Sequence, residues 1–171
     1  MRILGIDPGY AILGYGVVEA DGSRFSLCGY GAVSTGAGES MPMRLKAVYA
    51  ELMEIIGRLE PDTAAVEELF FNSNAKTALL VGQARGAAIL ACVNSGLDVH
   101  EYTPLQIKQA LTGYGRADKA QMQAMVKSLL RLAEPPRPDD AADALAAAIC
   151  HGNSAWHADR LAAAMGKGMS R

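Results

Sequence analysis

Four carboxylates have the types and spacing that could do chemistry. Asp7 closes a short apolar run, Arg2-Ile-Leu-Gly-Ile-Asp7, immediately before Pro8-Gly9. A short apolar run bounded by Pro-Gly reads as a buried central strand, which sets Asp7 at its carboxyl end. Glu67 closes a second such run, Thr63-Ala-Ala-Val66. Asp140 and Asp143 are three apart in a helical pattern, so they share one face at about 5–6 Å. A carboxylate ending an apolar strand is desolvated unless a cation meets it. Neighbouring strand ends would put Asp7 and Glu67 side by side, and a helix packed across them would add Asp140 and Asp143. Like charges so close cannot all ionise unless cations neutralise them. All-oxygen ligation with room for water suits Mg²⁺ or Mn²⁺, and two such ions about 3.5–4 Å apart suit in-line attack on a phosphodiester. Three of these acids also have an ordinary reading. Asp7 could accept hydrogen bonds from its own turn, Asp140 could cap a helix, and Asp143 could be a first-turn acid. Capping explains one helix and leaves the two strand ends unexplained.

The elements that must position these groups follow from the pattern along the chain. Gly14–Glu19 and Phe25–Val33 read as two further strands, joined by the hairpin signal Asp21-Gly22-Ser23. From Met43 to Leu59 the apolar residues follow one helical face, and Pro61-Asp62 ends it. An apolar helix spans about 75–93, where Gly82 and Gly86 would allow close packing. A strand at 99–102 precedes Pro104, and helices are expected over 105–111 and 119–132, the second burying Met122, Val126 and Leu129. Glu134-Pro-Pro-Arg-Pro138 is a rigid connector, and a strong helix starts at Asp139-Asp140. An antiparallel meander leading into strand–helix units implies one mixed α/β sheet with helices on its faces.

Composition bounds the rest. At 171 residues, 50% hydrophobic and 20% charged, the chain reads as one ordinary globular domain. No apolar stretch reads as a membrane span and no secretory signal is visible. Cys28, Cys92 and Cys150 fit neither a disulfide framework nor a zinc site, so a reduced, cytoplasmic protein is expected. Net charge is −2, but residues 108–137 carry six basic side chains against Asp118 and Glu134. That segment is either a phosphate-tracking surface or the solvated side of two helices.

Gly5-Ile-Asp-Pro-Gly9, Glu67 followed by Phe70-Phe71, Gly82-Gln-Ala-Arg-Gly86, and Asp140-Ala-Ala-Asp-Ala-Leu145 with His151 behind it resemble the RuvC family of Holliday junction resolvases. The likeness spans roughly residues 1–151. It implies a ribonuclease-H-like fold with a mixed five-stranded sheet, acting as a homodimer in which each subunit cuts one of two opposed strands of a four-way DNA junction. It also implies an endonuclease of DNA recombination and repair, with Asp7, Glu67, Asp140 and Asp143 as catalytic metal ligands for Mg²⁺ or Mn²⁺, two per site. Lys108 and Lys119 would contact DNA near the scissile strand, and Phe70 would wedge against bases with Phe71 in the core. Gly82–Gly86 would lie near the dimer contact. The implied partner is the branch-migration helicase complex (RuvA and RuvB). Residues 1–152 would be the nuclease domain and 153–171 a tail, disordered or an assembly contact.

His100 reads as structural, and His151 as capping or packing. Three rival readings stay distinguishable. A sugar-kinase or actin-like ATPase needs a duplicated second domain and a Thr or Ser where Tyr10 stands. The related ribosomal-RNA-processing nucleases are shorter and lack the Asp-Ala-Ala-Asp-Ala-Leu helix. A junction-binding module without catalysis would bind in Mg²⁺ or Mn²⁺ without cutting.

Overall fold

The computed structural model describes residues 1–68 and 75–168. Strands β1 (Arg2–Asp7), β2 (Ile12–Asp21) and β3 (Arg24–Ser34) precede α1 (Met41–Leu59). Then come β4 (Thr63–Glu67), α2 (Ala75–Asn94), β5 (Asp98–Tyr102), α3 (Pro104–Thr112), α4 (Lys119–Leu129) and α5 (Asp139–Gly168). The five strands form one sheet in the order β3-β2-β1-β4-β5. β1, β2 and β3 are the expected antiparallel meander, and β4 and β5 run parallel to β1. Gly22, at φ 61, supplies the left-handed residue of the β2–β3 turn.

Strand alternation sorts the side chains onto two faces. Leu4, Ile6, Leu13, Val17, Ala64 and Val66 pack with Val48, Leu52, Ile55 and Ile56 of α1 and with Ala88, Ala91 and Cys92 of α2. Ile3, Val18, Phe25 and Ala65 pack instead with Leu145 to Cys150 of α5, with α3 and α4 over them. Gly5 and Asp7 share the parity of Ile3, and Glu67 that of Ala65, so both strand-end acids belong to the α5 face.

That face is built for close approach. A Cβ on Gly5 would overlap the carbonyl oxygen of Ala144, and one on Gly14 would overlap that of Asp140. One on Gly16 would strike the Leu145 side chain. The register pairs Gly5 with Gly16 and Asp7 with Gly14, so the glycines make one floor under α5. Ala141, Ala142, Ala144 and Ala146–Ala148 then bury a helix that is apolar nearly all round.

Short caps hold the connecting helices. Thr103 and Gln106 form a capping box at α3, as do Asp118 and Gln121 at α4. α4 is shorter than the pattern suggests, ending at Leu129. The chain turns through Arg131 at φ 54, and Leu130 rather than Leu129 is the fully buried leucine. At the far edge of the sheet, His100 of β5 stacks on His151 of α5 with ring centroids 4.2 Å apart. The Tyr102 hydroxyl lies 2.7 Å from His151 Nδ1. Burial, helped by His100, pushes His151 down to about 4, so its neutral ring can accept that bond.

Two expectations are corrected. The residues after Gly152 continue α5 as helix to Gly168. Gly152 does not break the helix, because its missing side chain lets Phe25 and Ile3 press against the backbone. Gly86 gives no close packing among the described residues: it is exposed, and a Cβ there would meet none of them within 4 Å. The stretch Lys76–Asn94 of α2 is long and apolar enough by composition to cross a membrane, although it contains Arg85, and only 22% of it is buried. Its inner side packs on α1 and β5, where Arg85 pairs with Glu101. Leu79, Leu90 and Val93 stand outward, each more than half exposed.

Candidate active site

The parallel register of β1 and β4 pairs Ile6 with Val66, and the next residue on each strand is Asp7 and Glu67. Both strands stop there, so two carboxylates end side by side on the α5 face. α5 begins at Asp139, which places Asp140 within the first turn and not at its cap. Because Gly14 lies against the Asp140 carbonyl and pairs with Asp7, the same contact that seats the helix brings Asp140 and Asp143 to the strand ends.

The electrostatics record that crowding. Burial raises Asp7 to about 8, with further upward pushes from Glu67, Asp143 and Asp140. Burial likewise raises Glu67 to about 7, with Asp143 adding to it and Lys108 opposing. Asp143 is also raised by burial, and Lys119 pulls it back. Lys119 Nζ stands 3.5 Å from Asp143 and 3.2 Å from Asp139. A cleft of about 270 Å³ opens beside these groups, lined by Glu67, Lys108, Lys119, Asp143, Pro104 and Met122 among others. A larger cavity of about 820 Å³ lies at the opposite end of the strands, between Met1, Arg24 and Arg131. It holds none of the four clustered acids.

Asp7, Glu67, Asp140, Asp143, Lys108 and Lys119 are thus brought together from five separate elements. Phe70 and Phe71 lie outside the described residues. The basic segment is divided: Lys108 and Lys119 face the cleft, Arg131 lines the distant cavity, and Arg137 pairs with Asp139. The sequence reading passed over Asp139 and Gln123, whose Nε2 donates to Asp139 at 2.9 Å. Two signals were available: Asp139 adjoins Asp140, and Gln123 is one helical turn beyond Lys119.

Among the described residues no three His, Cys, Asp or Glu side chains stand as a finished metal cage. The donor chemistry nonetheless fits a hard divalent cation. Every candidate ligand is a carboxylate oxygen, and burial, with repulsion from neighbouring acids added to it, raises Asp7, Glu67 and Asp143 above the ordinary carboxylate range. Lys108 and Lys119 supply two charges against four carboxylates.

The family model described as crossover junction endodeoxyribonuclease RuvC matches residues 3–151. A crossover junction endodeoxyribonuclease RuvC from Alkaliphilus oremlandii is 58% identical over 154 residues, covering 90% of this chain and 94% of that protein. The Thermus thermophilus RuvC structure is 40% identical, with a TM-score of 0.84 over 91% of this chain and 95% of that one. T. thermophilus RuvC in complex with a Holliday junction substrate is similar to the same extent, at 38% identity and a TM-score of 0.84. Sharing its fold, its sequence and nearly its full length with these proteins, the chain belongs to the RuvC family of crossover junction endodeoxyribonucleases.

Proposed function

We infer that this chain is a structure-selective DNA endonuclease that resolves Holliday junctions by hydrolysing phosphodiesters in two opposed strands. The observation that carries this is the convergence of Asp7, Glu67, Asp140 and Asp143 beside a lysine-lined cleft in a chain of this family. The four carboxylates would hold divalent metal, Mg²⁺ or Mn²⁺, two ions per site. Metal bound there supplies the charge that activates water and stabilises the leaving 3′ oxygen. Asp7 and Glu67, fixed on strands, set the rear of that site, and Asp140 and Asp143 close it from α5. Lys108 and Lys119 orient the scissile strand through its phosphates, so binding weakens steeply with salt. Phe70 would stack on an unpaired base at the junction centre, a contact worth about 1–3 kcal/mol.

Two opposed cuts need two sites, and the outward face of α2 supports a homodimer. Leu79, Leu90 and Val93 are 53–65% exposed there, with Gly86 leaving room between them for a second backbone. The same enzyme would work in the cytoplasm with the branch-migration helicase complex.

The test is a synthetic four-way junction labelled on each strand in turn, incubated with Mg²⁺, Mn²⁺ or EDTA. Symmetric nicks in opposed strands, dependent on metal and absent from linear duplex, are expected. Tight junction binding without cleavage in either metal would overturn the assignment.

A further inference from the structure

Lys119 is shared between two acids that the proposed chemistry treats differently. Its amine pairs with Asp143, a proposed metal ligand, and more closely with Asp139, which has no part in that ligand set. Asp139 is not a loose surface acid. Its Oδ1 accepts from Gln123 Nε2 and from Arg137, which leaves Oδ2 turned toward Lys119. Gln123 and Lys119 are one turn apart on α4, so Asp139 joins two successive turns of that helix to the start of α5. An exposed ion pair usually contributes little, because both side chains must be ordered to form it. Here the carboxylate is already oriented by two other partners, so only the lysine has to be ordered.

We propose that Asp139 is a positioning residue for Lys119: it draws the amine away from Asp143 and keeps it beside the cleft, ready for phosphate, once metal takes Asp143. This rests on the reading of Asp143 as a metal ligand and Lys119 as a phosphate contact. Without Asp139, Asp143 is the one ion-pair partner left to Lys119 among the described residues, and the amine then competes harder with an incoming cation for that carboxylate. The direction of the effect is fixed by geometry. Removing the Asp139 charge should weaken metal binding through Lys119, and should have little effect when Lys119 is absent.

The experiment is a double-mutant cycle on Mn²⁺ binding to the full chain without DNA, read by titration calorimetry or by electron paramagnetic resonance of free Mn²⁺. Asp139→Asn keeps the shape and an oxygen for Gln123. It should weaken Mn²⁺ binding about three- to tenfold, whereas Lys119→Ala should tighten it, and adding Asp139→Asn to Lys119→Ala should change it less than about twofold. Gln123→Ala, which frees Oδ1 on the α4 side, should give a smaller weakening that also disappears with Lys119→Ala. At saturating Mn²⁺, single-turnover cleavage by Asp139→Asn should fall about three- to tenfold while junction affinity holds within about twofold. Equal weakening of Mn²⁺ by Asp139→Asn in both backgrounds would overturn the proposal alone, making Asp139 a distant negative charge on the metal. Failure of the unmodified protein to bind Mn²⁺ at all would overturn the metal-site reading, and this proposal with it.

Discussion

The two faces of the sheet are packed by different means. On the α1–α2 face, branched aliphatics from β1, β2 and β4 interlock with Val48, Leu52, Ile55 and Ile56, an ordinary oily interior. On the α5 face, the strands meet the helix with side chains taken away at the crossing: Gly5 and Gly14 meet helix carbonyls and alanines line the contact, while Ile3, Val18, Phe25, Leu145 and Ile149 pack around it. Side-chain packing can give by rotamer changes, whereas backbone against backbone cannot. The face that positions the acids is therefore the rigid one, and it also carries the unfavourable charge. Ångström placement of Asp140 and Asp143 against Asp7 comes from what Gly5, Gly14 and Gly16 lack.

Substitutions on the two faces should separate along that line. The largest effect belongs to Asp7→Asn. Single-turnover junction cleavage should fall about 10³-fold or more, while metal-free stability holds or rises because an ionisable group buried among other acids is replaced by a neutral one. Loss of less than tenfold would remove Asp7 from the chemistry. Next is Gly14→Ala, whose methyl would push against the backbone of α5 at the Asp140 carbonyl and the Ala141 nitrogen. Denaturant unfolding should show a cost of about 2–3 kcal/mol together with lost cleavage. Ile56→Val on the aliphatic face should cost only about 0.5–1.5 kcal/mol and leave cleavage intact. Equal costs for the two would erase the contrast.

A pH series probes the charge on the rigid face. Asp7 and Glu67 titrate higher in the fold, about 8 and 7, than in the unfolded chain. Between the unfolded and folded values the native state holds the extra protons, so their stabilisation is full below about pH 4. It is lost as pH rises through about 7 and 8. Metal-free stability should therefore decline toward pH 8 with a slope of up to about 1.4 kcal/mol per pH unit for each proton held. Mg²⁺ should raise the Tm at pH 8 far more than at pH 5. A Tm independent of pH and Mg²⁺ across that range would deny the charge cluster. The smallest change in fold stability is expected outside the aliphatic face. Leu90→Glu on the outer side of α2 should alter subunit stability by about 0.5 kcal/mol or less, yet shift sedimentation from dimer to monomer.

Local rules carried the sheet and most helix boundaries, because period-two runs ending in turns and period-3.6 runs ending in proline or glycine are short-range signals. The convergence of Asp7 with Glu67 was legible for the same reason: each ends an apolar strand. What was hidden depends on contacts far apart in sequence. Nothing near Gly14 says that the Asp140 carbonyl will rest on it, and nothing near His100 names His151 as its stacking partner. Gly152 looked like a stop since a glycine that ends a helix and one that admits a neighbouring phenyl ring look alike in sequence. The alanines beyond it favour helix, and that propensity was the better guide. Phe70 falls outside the described residues, so its role stays with the family resemblance.

The glycine-floored face also has a timetable. Asp7 and Glu67 leave the ribosome early, but α5 follows only after all five strands have been made, on the order of ten seconds after Asp7 at ordinary elongation rates. A nascent chain, or one broken off before Asp139, holds two of the four acids and a bare glycine strip where the helix should lie. Unfinished copies of the protein thus lack half of the proposed metal site, and the step that seats α5 is the step that assembles it.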